Sequence, residues 1–136
     1  MSEQPNAGYI LRLPRDVLER QLYLQKSLYV GIRRNWTLGP KILFVKKTAD
    51  GDVFLGSGTI HRVVDLDELD EYDRRSCIEN NWFAKILFAK LIRYHPSVRV
   101  QDTFAANLNP LILHGADIVA EELSRIESIS PARIIT

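Results

Sequence analysis

Arg33-Arg34-Asn35-Trp36-Thr37-Leu38-Gly39-Pro40-Lys41-Ile42-Leu43-Phe44-Val45-Lys46-Lys47 is a charged loop with one Trp, a Gly-Pro turn, and a short apolar run rich in strand formers. Ile42, Leu43, Phe44 and Val45 leave neither side of a strand polar, so Lys41 to Lys47 is expected in the interior of a sheet. The loop before it carries cations and an aromatic ring on a rigid support. That is the arrangement of a recognition loop feeding a buried strand.

The same words return at Asn81-Trp82-Phe83-Ala84-Lys85-Ile86-Leu87-Phe88-Ala89-Lys90. Asn-Trp is again followed by Lys-Ile-Leu-Phe and a later Lys. Two copies fall short of a solenoid, which needs at least three repeats. They read as two related strands of one sheet.

A chain of 136 residues, 46% hydrophobic and 26% charged, holds enough apolar material for one core, so residues 1–136 are expected to form one domain, with 1–7 as a flexible tail. Cys77 is the only cysteine and can form no internal disulfide. The first residues carry neither a basic region nor an apolar one, and no run of 18 apolar residues occurs. A reducing, cytoplasmic setting without membrane partners is the expectation. The net charge of +1 conceals a partition. Nine basic residues face two acids between Arg12 and Lys47, while nine acids face three arginines between Asp50 and Glu79. Such a chain either offers a basic face to a polyanion or cancels its two halves against each other in the fold.

Outward from the central stretch, Tyr9 to Leu13 reads as a first strand. Pro14 to Gln25 reads as a helix with Pro14 in its first turn, acids Asp16 and Glu19 at its positive end, and Leu18 and Leu22 on one face. Ser27 to Ile32 alternates apolar and other residues as a half-buried strand does. Asp50-Gly51 marks a hairpin turn, and Val53 to Val64 forms a long return strand. Gly56 and Gly58 within it mark a bulge or a close backbone approach. Asp65 to Arg75 is expected as a surface helix with Asp65 and Glu68 as its capping box. The next strand runs from Trp82 to Tyr94, where Pro96 ends it. Ser97 to Val100 adds a short strand, Asp102 to Leu108 one helical turn, and Ala116 to Ile126 a final amphipathic helix. Ile134-Ile135 suits a closing edge strand. The order predicts an α+β domain on a strongly bent, largely antiparallel sheet with helices at its edges.

Catalytic and cofactor signatures are sparse. Gly56-Ser57-Gly58 lacks the Lys of a phosphate loop and the third Gly of a dinucleotide fingerprint, and no Gly-x-Ser-x-Gly elbow occurs. Cys77 lies near Arg74 and Arg75, which would favour a thiolate, but a lone Cys beside Ile78 reads better as a packed residue. Asp67, Asp70 and Asp73 share a helical face without the glycine and terminal Glu of a calcium loop. His61, His95 and His114 show no ligand spacing. We therefore assign no catalytic residue, no metal and no cofactor.

Recognition chemistry remains. Arg33 and Arg34 suit phosphates or a base edge, and Asn35 suits an amide-like edge. Trp36 offers a face on which an unstacked base gains about 1–3 kcal/mol. Lys41, Lys46 and Lys47 extend the positive field, and His61 alternates with Ser57 and Thr59 on a strand that can line a polar pocket.

Val30-Gly31-Ile32-Arg33-Arg34-Asn35-Trp36, the Gly39-Pro40-Lys41 turn into Ile42-Leu43-Phe44, the glycine-bearing return strand and the strand from Trp82 together resemble the PUA-like superfamily. Within it, EVE-type domains and an uncharacterised archaeal group are the nearest in character. The resemblance implies a compact β-barrel with flanking helices that holds RNA or a flipped modified base. It makes Trp36 and Trp82 candidate walls of an aromatic cage, with Asn35 or Asn81 reading the base edge. The ASCH branch of the same superfamily carries Gly-x-Lys-x-x-Glu-x-Arg. Here Gly39 and Lys41 are kept, while Phe44 and Lys46 replace the Glu and Arg. The expected function is non-catalytic binding of RNA or modified nucleic acid. An ASCH-like enzyme on a nucleoside derivative, with Lys41 as its polar catalyst, and a protein-interaction module are the alternatives.

Overall fold

The computed structural model describes residues 6–34, 36, 41–130 and 132–135. Asn35, the Gly39-Pro40 turn and residues 1–5 of the expected tail lie outside the described residues.

The elements in chain order are β1 (Asn6–Arg12), α1 (Asp16–Gln25), β2 (Ser27–Val30), β3 (Lys41–Thr48), β4 (Gly51–Asp65), α2 (Glu71–Glu79), β5 (Ala84–Arg99), β6 (Asp117–Val119), α3 (Ala120–Ile129) and β7 (Ala132–Ile135), with short 3-10 turns between some of them. All seven strands share one mixed sheet in the order β2-β5-β4-β3-β1-β6, with β7 also paired to β5. β1 and β3 run parallel. The other ladders are antiparallel. The two repeated stretches become β3 and β5, the two neighbours of β4.

β3 lies in the interior, and alternation along it shows why. Ile42 and Phe44 enter one buried cluster with Leu18 and Leu22 of α1. Leu43 and Val45 enter a second cluster with Leu123 and Ile126 of α3. A strand with a covered layer on each face has no use for a polar side. β4 curves as its glycines foretell. Its register with β5 shifts between Phe54 and Gly56 and twice more around Ile60. A Cβ on Gly56 would collide with the backbone carbonyl of Ile92, so that close approach requires glycine. Gly51 supplies the positive φ of 113° at the β3–β4 turn.

Several expectations need correction. The barrel does not close. The strand path ends on β2 and β6, of four and three residues, and such short strands cannot carry the staggered ladder that closure needs. The acidic segment is not one helix. Leu66–Glu68 forms a 3-10 turn, Leu69 is buried, and α2 begins at Glu71 with Asp70 as its true cap, accepting the N–H of Asp73 at 2.8 Å. Glu68 instead pairs with Arg62 at 2.9 Å. Pro96 does not end β5, because it falls where the β4 register jumps and no ladder donor is needed, so the expected Ser97–Val100 strand is largely the end of β5. The last helix starts later, since Asp117–Val119 pairs with the outer edge of β1 before the chain turns helical. β1 itself starts at Asn6, within the expected tail.

Candidate functional site

A cleft of about 880 Å³ opens beside the start of α1, where five further segments converge. The end of β1 brings Leu11 and Arg12, and the end of β2 brings Tyr29, Val30 and Gly31. The β3–β4 turn contributes Lys47 and Asp52, the exit of α2 contributes Asn80, Asn81 and Trp82, and the segment before β6 contributes Leu111 and His114. Leu11, Leu18, Leu28 and Val30 belong to the buried α1-side cluster, so the floor is apolar and rigid.

Its aromatic element is a pair of rings. Tyr29 and Trp82 stack with centroids 4.9 Å apart and planes 11° from parallel. Tyr29 lies on the face of β2 opposite Leu28 and Val30, and its hydroxyl donates to Asp73 of α2 at 2.6 Å. Lys85 of β5 donates to the other Asp73 oxygen at 3.1 Å. Burial alone would raise the Asp73 carboxyl, but the bonds from Tyr29 and Lys85 outweigh it and hold the group below its usual range. Burial, and then the bond to Asp73, pushes the Tyr29 phenol up, so it stays a donor at neutral pH. Trp82 is tied by its backbone N–H to the carbonyl of Cys77 at 2.8 Å, and the guanidinium of Arg15 sits 5.6 Å from its ring centre. Asn81 turns the chain there with a φ of 59°, a left-handed conformation that Asn tolerates better than most residues.

The polar rim is charged and ordered. Arg12 forks onto both oxygens of Asp52 at 2.9 Å. The Arg12 bond, aided by Lys47, holds the Asp52 carboxyl below its usual range. The backbone N–H of Arg12 donates to Nδ1 of His114 at 3.0 Å. Burial, followed by Arg12 and Arg34, lowers the His114 pKa, so the neutral ring keeps its proton on Nε2, the corner away from β1. The cleft thus offers the Trp82 ring, stacked on Tyr29 and overlain by the Arg15 guanidinium, together with two amides, an imidazole donor and the Lys47 ammonium.

The residues singled out in the sequence divide between two places. Asn81 and Trp82 line the cleft. Arg33 lies on the ring of Phe83, the next residue, 4.2 Å from its centre. Arg34 Nε donates to the carbonyl of Gly115 at 2.8 Å, which ties the loop to the turn that carries His114. Trp36 does not line the cleft; it packs edge-on to Tyr9 at 5.1 Å and against the α1-side core. Lys41 donates to Thr59 Oγ1 at 2.8 Å. Because Lys41 and Lys47 begin and nearly end β3, they stand on the order of 20 Å apart. His61 is exposed on β4, two residues beyond Thr59. Lys47 was read in the sequence as part of the positive field, and it does line the cleft. Arg12, Tyr29, Asp52, Asn80 and His114 were not chosen from the sequence. They are scattered from residue 12 to residue 114, and the one local signal was Arg12 as a charge inside an apolar strand.

Cys77 is fully buried, and burial raises its thiol pKa. Arg74 is spent on the carbonyls of Leu66, Asp67 and Leu69, and Arg75 on Glu71. Among the described residues no cluster of three or more His, Cys, Asp or Glu fits a metal. The opposed charge segments do not cancel wholesale. Among the described residues the ion pair joining them is Arg12–Asp52, while Lys46 pairs with Asp16 and Glu19 of its own segment. No helix among those residues is long and apolar enough to cross a membrane.

No family model matches the sequence, and no curated protein does. Two solved structures match over nearly the whole chain. A serine-to-alanine mutant of ZmASCH from Zymomonas mobilis is 16% identical, with a TM-score of 0.64 over 94% of this chain and 99% of that one. ASCH from Zymomonas mobilis is 14% identical, with a TM-score of 0.64 over 91% and 96%. At such identities the likeness concerns architecture alone. This chain therefore has an α+β fold like that of the two ASCH structures, built on an open seven-stranded mixed sheet.

Proposed function

We propose that the cleft binds single-stranded RNA non-catalytically, in the cytoplasm, by taking one unstacked base against Trp82. The observation that carries this reading is the Tyr29–Trp82 stack, braced from behind by Asp73 and placed in a cleft with an apolar floor and a cationic rim. A base stacked on an aromatic side chain gains about 1–3 kcal/mol whatever its identity. Tyr29 stacks on the Trp82 ring and Arg15 lies over it, so an entering base takes the place of the guanidinium, which is then suited with Lys47 to the flanking phosphates, while the amides of Asn80 and Asn81 are suited to the base edge. A modified base fits the same arrangement, since the apolar floor suits an added alkyl group, and this is what the EVE-type resemblance contributes to the reading. Titration of labelled single-stranded and tRNA-like oligonucleotides at two salt concentrations tests it. Affinity should fall with salt as lysines and arginines release counterions. An absence of binding at low salt would sink the reading.

A second reading has one observation in its favour. Lys41 Nζ lies 2.8 Å from the Thr59 hydroxyl, so an ammonium and a hydroxyl meet at the position where the ASCH-like Gly39 and Lys41 are kept. This supports an enzyme acting on a nucleoside derivative. Product formation from a panel of amide-modified nucleosides, lost in Lys41→Ala, would favour it over pure binding, and inactivity across the panel would remove it.

A further inference from the structure

One feature of the cleft is unused by base stacking. Leu111 is 88% exposed, yet it lines the same cleft as Trp82. Leu24 is almost as exposed, but it lies on α1 and does not line the cleft. The turn that carries Leu111, Pro110–Ile112, is held firmly. Asn109 accepts the Leu111 N–H through its side chain at 3.0 Å and the Ile112 N–H through its carbonyl at 2.9 Å. Leu113 is 1% exposed and roots the turn in the α3-side core. His114 and Gly115 then bond to β1, through the N–H of Arg12 and the carbonyl of Ile10. Tight anchoring on both sides leaves an aliphatic side chain standing in water at a fixed place on the cleft lip.

We propose that Leu111 is a wedge for paired RNA: when a mispaired base swings out of a duplex onto Trp82, the Leu111 side chain enters the gap it leaves. An extruded base leaves an apolar slot between its former neighbours, and an aliphatic side chain that fills the slot keeps water out and opposes the base's return. The swing is a rotation about one nucleotide's backbone, so wedge and stacking ring must share one opening, as Leu111 and Trp82 do. Lys47 on the same rim, and Arg15 beside Trp82, suit the phosphates that flank such a gap, while Arg12 is held by Asp52. The inference rests on the base-binding reading of the cleft and extends it from single strands to duplexes with a weakened pair.

The test compares dissociation constants for an RNA duplex with one mispaired base and for the single strand of the same sequence, using wild type, Leu111→Ala and Leu111→Met. Leu111→Ala should weaken duplex binding relative to single-strand binding by about tenfold, because it removes most of the apolar surface inserted in the gap. Leu111→Met, which keeps a long apolar side chain, should restore the wild-type ratio. An unchanged ratio in Leu111→Ala overturns the wedge. Wild-type protein that binds the single strand but not the mispaired duplex also overturns it and leaves the base-binding reading standing. Binding to neither removes both.

Discussion

Trp36 and Trp82 stand at the head of the same repeated words, yet the fold puts them to different uses. Trp36 packs edge-on to Tyr9, is partly buried against the α1-side core, and among the described residues its buried indole N–H has no partner. Trp82 stacks face-on with Tyr29 in an open cleft. Both rings pack against the α1-side core, but Trp36 does not line the cleft, whereas Trp82 combines that packing with a place on the cleft wall. What separates them is the strand each precedes. β3 has β1 beside it, which brings Tyr9 under Trp36, whereas the start of β5 has β2 beside it, which brings Tyr29 under Trp82.

The contrast is breakable by substitution. Trp36→Ala should give the largest change, a loss of about 2–4 kcal/mol of stability from the emptied packing, read as a drop in thermal midpoint. A midpoint near wild type would return Trp36 to the list of recognition residues. Trp82→Ala should instead cost affinity for single-stranded RNA by about 1–3 kcal/mol, roughly 5- to 150-fold, with a smaller stability loss than Trp36→Ala. The reverse ranking would undo the assignment of the two corners.

Acid provides a third handle. The Asp52 carboxyl is held down in the folded state by Arg12, so its stabilising contribution is full above the ordinary carboxylate pKa near 4 and is lost as pH falls through the lower folded value. Asp73 behaves with the same sign, through Tyr29 and Lys85. Midpoints measured from pH 6 to pH 2 should therefore fall less steeply for Asp52→Asn than for wild type, and parallel curves would contradict this. The smallest effect is expected at Asn81. Asn81→Ala should cost about 1 kcal/mol at its positive φ, while Asn81→Gly should be close to neutral. Chemical denaturation of the two variants measures the difference.

Much of the framework was legible. Leu18 and Leu22 announced the buried face of α1, the unbroken run Ile42–Val45 announced a doubly covered strand, and Gly56 announced a close approach. The misreadings share a cause. Asp65 and Glu68 form as good a local capping pattern as Asp70 and Asp73, and burial of Leu69 decided between them. Pro96 is a stop by local rules, but the register jump between β4 and β5 removed the bond it would have broken. Ile118 fits a helical face, but the open edge of β1 took it as a strand.

The candidate site divides along the same line. Trp82 and Asn81 could be chosen from the sequence because an aromatic beside an amide is a local pattern. Arg12, Tyr29, Asp52 and His114 could not, since each is ordinary in its own segment and becomes a site residue only where strand order brings segments tens of residues apart to one opening. By itself the sequence determined the elements buried on a defined face, because side-chain periodicity and turn chemistry act within a few residues. Only the tertiary structure decided whether the sheet closed, which tryptophan met a cleft, and which charges gathered around it, because those depend on pairing between distant strands, and periodicity does not encode it.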